Sequence, residues 1–147
     1  MNKSNFSIHP MILPQAIFDN TTASSNVVDL AGSKYCYIKV QLGATDIAMT
    51  ALKVQESDAK TDATTLTSGA DITGLTYATS LPSDTDDNKT YLFAFPVEGR
   101  KRYVNVVATA GNGSAGTFLT ADAILFDKIQ HSDDATSFNV AGLKRIP

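Results

Sequence analysis

Apolar and polar residues alternate along several stretches of this chain, the period of a strand whose two faces meet different surroundings. Over residues 35–42, Cys36, Ile38, Val40 and Leu42 fall on one face, with Tyr35, Tyr37, Lys39 and Gln41 on the other. Over residues 48–54, Thr50, Leu52 and Val54 oppose Met49, Ala51 and Lys53. Gly43-Ala-Thr-Asp46 between these runs has turn composition, so a hairpin is expected there. Residues 91–97 put Tyr91, Phe93, Phe95 and Val97 together as the candidate centre of the core; Pro96, which lacks an amide proton, marks an edge or a strand end. Residues 102–109 carry Val104 and Val106 on one face and Tyr103 and Val107 on the other, the pattern of a central strand buried on both sides. After Gly111-Asn-Gly-Ser-Ala-Gly116 the alternation resumes over residues 117–126. The Ala and Leu residues there also suit a helix, but the period favours a strand.

Shorter candidates at 15–18, 26–30 and 76–79 bring the expected total to about eight strands. Short strands with long loops in one domain predict an all-β, two-sheet β-sandwich, specifically a jelly roll. Residues 57–83, rich in Thr, Asp, Gly and Ser, are expected to form a decorated loop region with one short strand. The sandwich is expected over residues 15–127, with an N-terminal arm at 1–14 and a C-terminal arm at 128–147.

Composition supports this class. The chain has 147 residues, enough for one domain, with 13 Asp against 2 Glu and 17 Thr, a mixture poor for helix interiors and good for turns and strands. A net charge of -3 gives no overall positive field, so specific nucleic-acid binding is not expected. Cys36 is the one cysteine, which excludes an intrachain disulfide and any cysteine-clustered metal site. No run of 18 apolar residues and no secretory signal is legible, so synthesis in a cytoplasm without a membrane partner is expected.

The candidate chemical motifs each have a simpler reading. Gly111-Asn-Gly-Ser-Ala-Gly116 fits the G-x-G-x-x-G spacing of a dinucleotide loop, but that loop must open a helix and be followed by further βα units. A hairpin loop needs the same glycines and fits an all-β chain better. Asp84-Thr-Asp-Asp-Asn88 resembles the start of a calcium loop, yet Lys89 stands where glycine is needed and Phe95 where the bidentate glutamate is needed. A solvated turn is the expected reading. The two histidines, His9 and His131, fall in the expected arms, and Asp58, Asp62, Asp71, Asp133 and Asp134 sit in turn-like clusters. No base stands beside a nucleophile, so neither enzymatic activity nor a cofactor or metal is expected. The N-x-S/T sequences at Asn20, Asn88 and Asn112 are read as chance matches.

Two stretches carry a family resemblance. Val40-Gln-Leu-Gly-Ala-Thr-Asp46, Leu52-Lys-Val-Gln-Glu-Ser-Asp58 and Ser68-Gly-Ala-Asp-Ile-Thr-Gly74 make up the first; Gly99-Arg-Lys-Arg-Tyr-Val-Asn-Val-Val-Ala-Thr109 with the strand at 121–126 makes up the second. In this order they resemble small β-rich proteins encoded among the head genes of tailed phages. The resemblance covers most of residues 26–127 and implies a virion structural protein on the capsid surface, a decoration or cement protein. Its implied partners are the major capsid protein and copies of itself; a homotrimer is favoured because icosahedral capsids offer many local three-fold positions, though a dimer suits their two-fold positions. It brings no catalytic residues. Arg100, Lys101 and Arg102, with Lys144 and Arg145 near the C-terminus, are the candidate protein-interface residues, since basic side chains here suit salt bridges to a protein better than to nucleic acid. The rival readings are a tail or neck protein, a carbohydrate-binding receptor module, disfavoured by the absence of Trp, and a metal-dependent jelly-roll enzyme, disfavoured by two distant histidines.

Overall fold

The computed structural model describes residues 6–127 and 139–147. Nine strands follow one another among them: β1 (Phe6–Ile12), β2 (Val28–Asp29), β3 (Tyr35–Thr45), β4 (Ala51–Ser57), β5 (Ala70–Thr76), β6 (Thr90–Pro96), β7 (Tyr103–Thr109), β8 (Thr117–Phe126) and β9 (Gly142–Arg145). The helical structure among the described residues is a 3-10 turn at Asp84–Asp86. One sheet has the order β1-β8-β3-β6-β9 and the other β2-β7-β4-β5.

The pairing explains the architecture. The first strand pairs with the eighth, the second with the seventh, the third with the sixth and the fourth with the fifth, all antiparallel. The chain is thus a long ribbon folded back on itself at β4–β5 and rolled, so that from β1 to β4 and from β5 to β8 successive strands alternate between sheets. Antiparallel β3·β8 and β4·β7 pairs then complete the two sheets. This is the jelly roll that the alternation predicts, a β-sandwich with β9 added at one edge.

Burial follows the period of two. Cys36, Ile38, Val40, Phe93, Phe95, Leu119, Ala121, Ala123 and Leu125 line the inner face of the five-stranded sheet. Leu52, Val54, Ile72, Leu75, Val104, Val106 and Ala108 meet them from the other, in one hydrophobic cluster. The aromatic face of β6 is indeed central, with Phe93 at 0% and Phe95 at 2% exposure, and Pro96 is the last residue of its strand. β7 lies inside its sheet as expected, although its outward residues are half-buried rather than buried.

Four expectations need correction. Residues 35–54 do not form a hairpin: β3 and β4 lie in opposite sheets, and their apolar faces meet across the core. Alternation fixes which face is buried but not which sheet a strand joins. For the same reason the 111–116 loop is a link between sheets rather than a hairpin loop. The segment expected to be an N-terminal arm contains β1, which pairs with β8 and buries Met11 and Ile12 at 1% exposure each. Pro10 sits on the edge of that sheet, where a missing amide proton removes no ladder bond. The segment expected to be a C-terminal arm contains β9, paired with β6 in parallel. Gly142 makes that docking possible, since a Cβ there would come within 2.9 Å of both Tyr77 and Tyr91.

Candidate interaction surface

The basic cluster lies in the link between β6 and β7, and the protein's own carboxylates engage most of it. Glu56 braces the link twice: Oε1 is 3.6 Å from an Arg100 guanidinium nitrogen, and Oε2 accepts from the Lys101 amide at 3.1 Å. Arg102 grips Asp29 with two nitrogens, Nη2 to Oδ2 at 2.8 Å and Nε to Oδ1 at 3.1 Å. The Arg102 hydrogen bond holds the Asp29 carboxyl below the usual carboxylate range. Arg102 also lies 5.1 Å from the centre of the Tyr103 ring, with Lys60 at 5.4 Å from the same ring. An arginine held this way joins strand ends; any partner carboxylate would have to displace Asp29 first.

Lys144 and Arg145 lie on β9, a different element. The Lys144 ammonium sits 5.1 Å from the Tyr77 ring centre, at the seam between the sheets. Arg145, opposite Ala94, is near enough to Tyr37 for its charge to oppose the burial that raises the Tyr37 hydroxyl.

Carboxylates of the same chain take up backbone amides of the oxygen-rich and glycine-rich loops. In the 111–116 loop the amides of Ser114 and Ala115 donate to the Asp46 carboxylate, and the Gly113 amide donates to Asp19 Oδ1 at 2.9 Å. The amides that would face a pyrophosphate therefore face carboxylates of the same chain, and β8 rather than a helix follows. The Ala115 amide and its neighbours hold the Asp46 carboxyl below its usual range. Within the calcium-like stretch, Asp86 pairs with Lys89 at 2.8 Å and accepts from the Ser83 amide, while Asp87 accepts from the Thr45 amide. These carboxylates diverge to separate donors, and among the described residues no three His, Cys, Asp or Glu side chains could jointly hold a metal. His9 is half-buried on β1 with Nε2 against Ser7 Oγ at 2.9 Å. His131, Asp133 and Asp134 lie outside the described residues. Cys36 is fully buried, and burial pushes its thiol up, away from reactivity.

What does stand out is the outer face of the five-stranded sheet. The register places Phe6, Phe126, Tyr35 and Pro96 in one row across β1, β8, β3 and β6, and Ile8, Ile124, Tyr37 and Ala94 in the next. Phe126 packs edge-on to Tyr37 with centroids 4.8 Å apart and stacks near Tyr35 at 5.9 Å. Leu92 and Ala94 also point outward from β6 yet are buried, at 5% and 3%. Beside them a hollow of ≈ 380 Å³ is lined by Tyr37, Leu92 and Ile124, with Asn139 and Val140 on its far wall. Towards β1 the band opens to solvent, with Phe6 at 63% and Ile8 at 57% exposure. Leu13 and Ile17, in the link after β1, are also exposed, and Ile17 lies against Gly116 at the other end of β8.

This surface was not anticipated from the sequence. Its signal was the alternation Phe6, Ile8, Pro10 against Ser7, His9, Met11, which His9-Pro10 interrupts. It can perform no bond-making chemistry; it can exclude water with another apolar surface.

The chain matches no protein-family model, and no curated protein matches it. Among solved structures, the SPBc2 prophage-derived protein YomS aligns with 86% of this chain and 97% of its own, at 11% identity and a TM-score of 0.47. A likeness at that level bears on neither function nor ancestry.

Proposed function

We propose that this protein is a non-enzymatic phage virion structural protein, a decoration or cement protein that binds the major capsid protein and copies of itself on the capsid surface. The sequence resemblance supplies the class of protein. The observation that carries a binding role is the apolar band of the five-stranded sheet, where Phe6 and Ile8 are each more than half exposed beside Ile124 and Phe126. Soluble monomers expose single apolar residues freely, whereas clustered ones rimmed by polar groups mark contact surfaces. β1 adds a sheet edge, and an edge can extend across a subunit boundary. A cement protein needs a rigid body that holds its contact surface in place under load, and two sheets on one continuous core provide it.

The basic residues take a secondary part in this reading. Arg100 and Arg102 fix the β6–β7 link through Glu56 and Asp29, and Lys144 and Arg145 fix β9, so the apolar band leads the docking and the charges frame it. The test is co-sedimentation of purified protein with capsids stripped of it, in compact and expanded forms. Saturation at a fixed ratio per major capsid subunit is expected. Absence of binding to every head form would overturn the capsid assignment in favour of a tail, neck or receptor-binding role.

A further inference from the structure

Asn112 is the one asparagine of this chain that a glycine follows. It stands exposed in the link between β7 and β8, outside both strands. The glycine after it is imposed by packing, because a Cβ on Gly113 would run into both oxygens of the Asp46 carboxylate. That carboxylate is tied in place as the acceptor of the Ser114 and Ala115 amides. The fold therefore requires an Asn-Gly pair wherever asparagine occupies position 112, and it leaves the asparagine side chain in water.

Such a pair has a chemistry of its own, and asparagine is among the thermolabile residues for this reason. The backbone nitrogen after an asparagine lies within ring-closing reach of the side-chain carbonyl carbon, and glycine adds no Cβ to crowd the approach. For Asn112 the Gly113 nitrogen gives up its proton and bonds to Cγ, the Cγ to amide-nitrogen bond breaks, and that nitrogen leaves with the proton as ammonia. Water then opens the cyclic imide at either carbonyl. The product is aspartate, or isoaspartate with the backbone running through the side chain. Nothing is oxidised or reduced, and water is the co-reactant.

The structure also holds the attacking nitrogen. The Gly113 amide donates to Asp19 Oδ1 at 2.9 Å. One residue before Asn112, the Gly111 carbonyl accepts from the Asn20 amide at 3.0 Å, and the Ala110 amide donates to the Thr21 carbonyl at 2.9 Å. The backbone on both sides of Asn112 is thus tied to residues 19–21. A hydrogen bond to a carboxylate keeps the proton on the Gly113 nitrogen, and the negative charges of Asp19 and Asp46 oppose the anion that must form there.

We propose that Asn112 is a site of spontaneous deamidation and that the Asp19 carboxylate restrains the reaction by holding the Gly113 amide proton. Conversion puts a third carboxylate on a link that already carries those of Asp19 and Asp46. This chemistry needs only water and the chain itself, whatever the protein binds.

The test compares full-length parent, Asp19→Ala and Asp19→Asn, each kept folded in mildly alkaline buffer, with denatured parent in the same buffer. Circular dichroism follows the fold. Peptide mass spectrometry follows the amide-to-acid mass gain at Asn112, and isoaspartate is identified by enzymatic methylation. Conversion is expected to be fastest in the denatured chain and slowest in the folded parent. Folded Asp19→Ala should convert about tenfold faster than the folded parent, the factor that one hydrogen bond to a charged group is worth in a rate. Asp19→Asn keeps an acceptor oxygen and drops the charge, so its rate should fall between the two, and it decides alone if Asp19→Ala fails to fold. Equal rates in the folded parent and its folded variants would overturn the restraint. Absence of conversion at Asn112 in every folded sample would overturn the site itself.

Discussion

The outer faces of the two sheets are built to opposite specifications. On the four-stranded sheet, Lys53 pairs with Asp71 at 2.7 Å, Gln55 donates to the same carboxylate at 2.7 Å, and Tyr103 lies between the cations of Lys60 and Arg102. Lys53 and Arg102 each meet a carboxylate from a neighbouring strand, Asp71 and Asp29, and the face is finished for water. The five-stranded sheet carries Phe6, Ile8, Ile124, Phe126, Tyr35, Tyr37, Leu92 and Ala94 outward, and its charge is sparse. Part of that face is covered by the chain itself, near Val140 and β9, and the part along β1 is left open. The contrast separates a face whose charges pair across strands from one whose apolar residues are buried near β9 and open along β1.

The largest effect should come from testing whether the outer apolar layer is structural where it is covered. Leu92→Ala removes a buried outward side chain and should cost about 2–4 kcal/mol in chemical denaturation, while the half-buried Val107→Ala on the opposite face should cost about 1 kcal/mol. Equal losses would erase the distinction between the faces. Where the layer is open, stability should scarcely respond. The double variant Phe6→Ser, Ile8→Ser should leave the unfolding midpoint within about 0.5 kcal/mol of the parent, as surface substitutions do, yet weaken capsid retention by about tenfold or more, the loss of a central apolar contact. Retained binding would move the docking surface elsewhere.

The fold was largely legible because a jelly roll writes its buried face as a period of two. Cys36 to Leu42, the β6 aromatics and β8 all alternate as read. Sheet membership was not legible: β3 and β4 look like a hairpin because turn composition at residues 43–46 serves a link between sheets as well as a hairpin turn. The outer apolar band was missed for a related reason. Ile124 and Phe126 were visible as strand residues, but their meeting with Tyr35, Tyr37 and Phe6 depends on long-range register. The basic residues were found by composition, and composition could not reveal that Asp29 and Glu56 engage two of them from distant strands.

A smaller effect separates the loops. Asp46 supplies acceptors to the 111–116 link, and its folded-state carboxyl titrates below the unfolded one. Its contribution is therefore fully present above the unfolded value, near pH 4, and is lost as pH falls through the depressed folded value. Asp46→Asn should lower stability at neutral pH, and the gap from the parent should close on acidification. A gap constant down to the acid transition would show that shape rather than charge holds the link.

The smallest effect belongs to the watery face and sharpens the contrast most cleanly. Lys53 and Asp71 are a quarter and a half exposed, and the paired lysine and glutamine lower the Asp71 carboxyl. Solvent and salt screen such a pair, so a double-mutant cycle with Lys53→Ala and Asp71→Ala should return a coupling below about 1 kcal/mol, shrinking further in high salt. Capsid retention of both single variants should match the parent. A loss of retention here would mean that the charged face also docks, and the division of labour between the two sheets would fall.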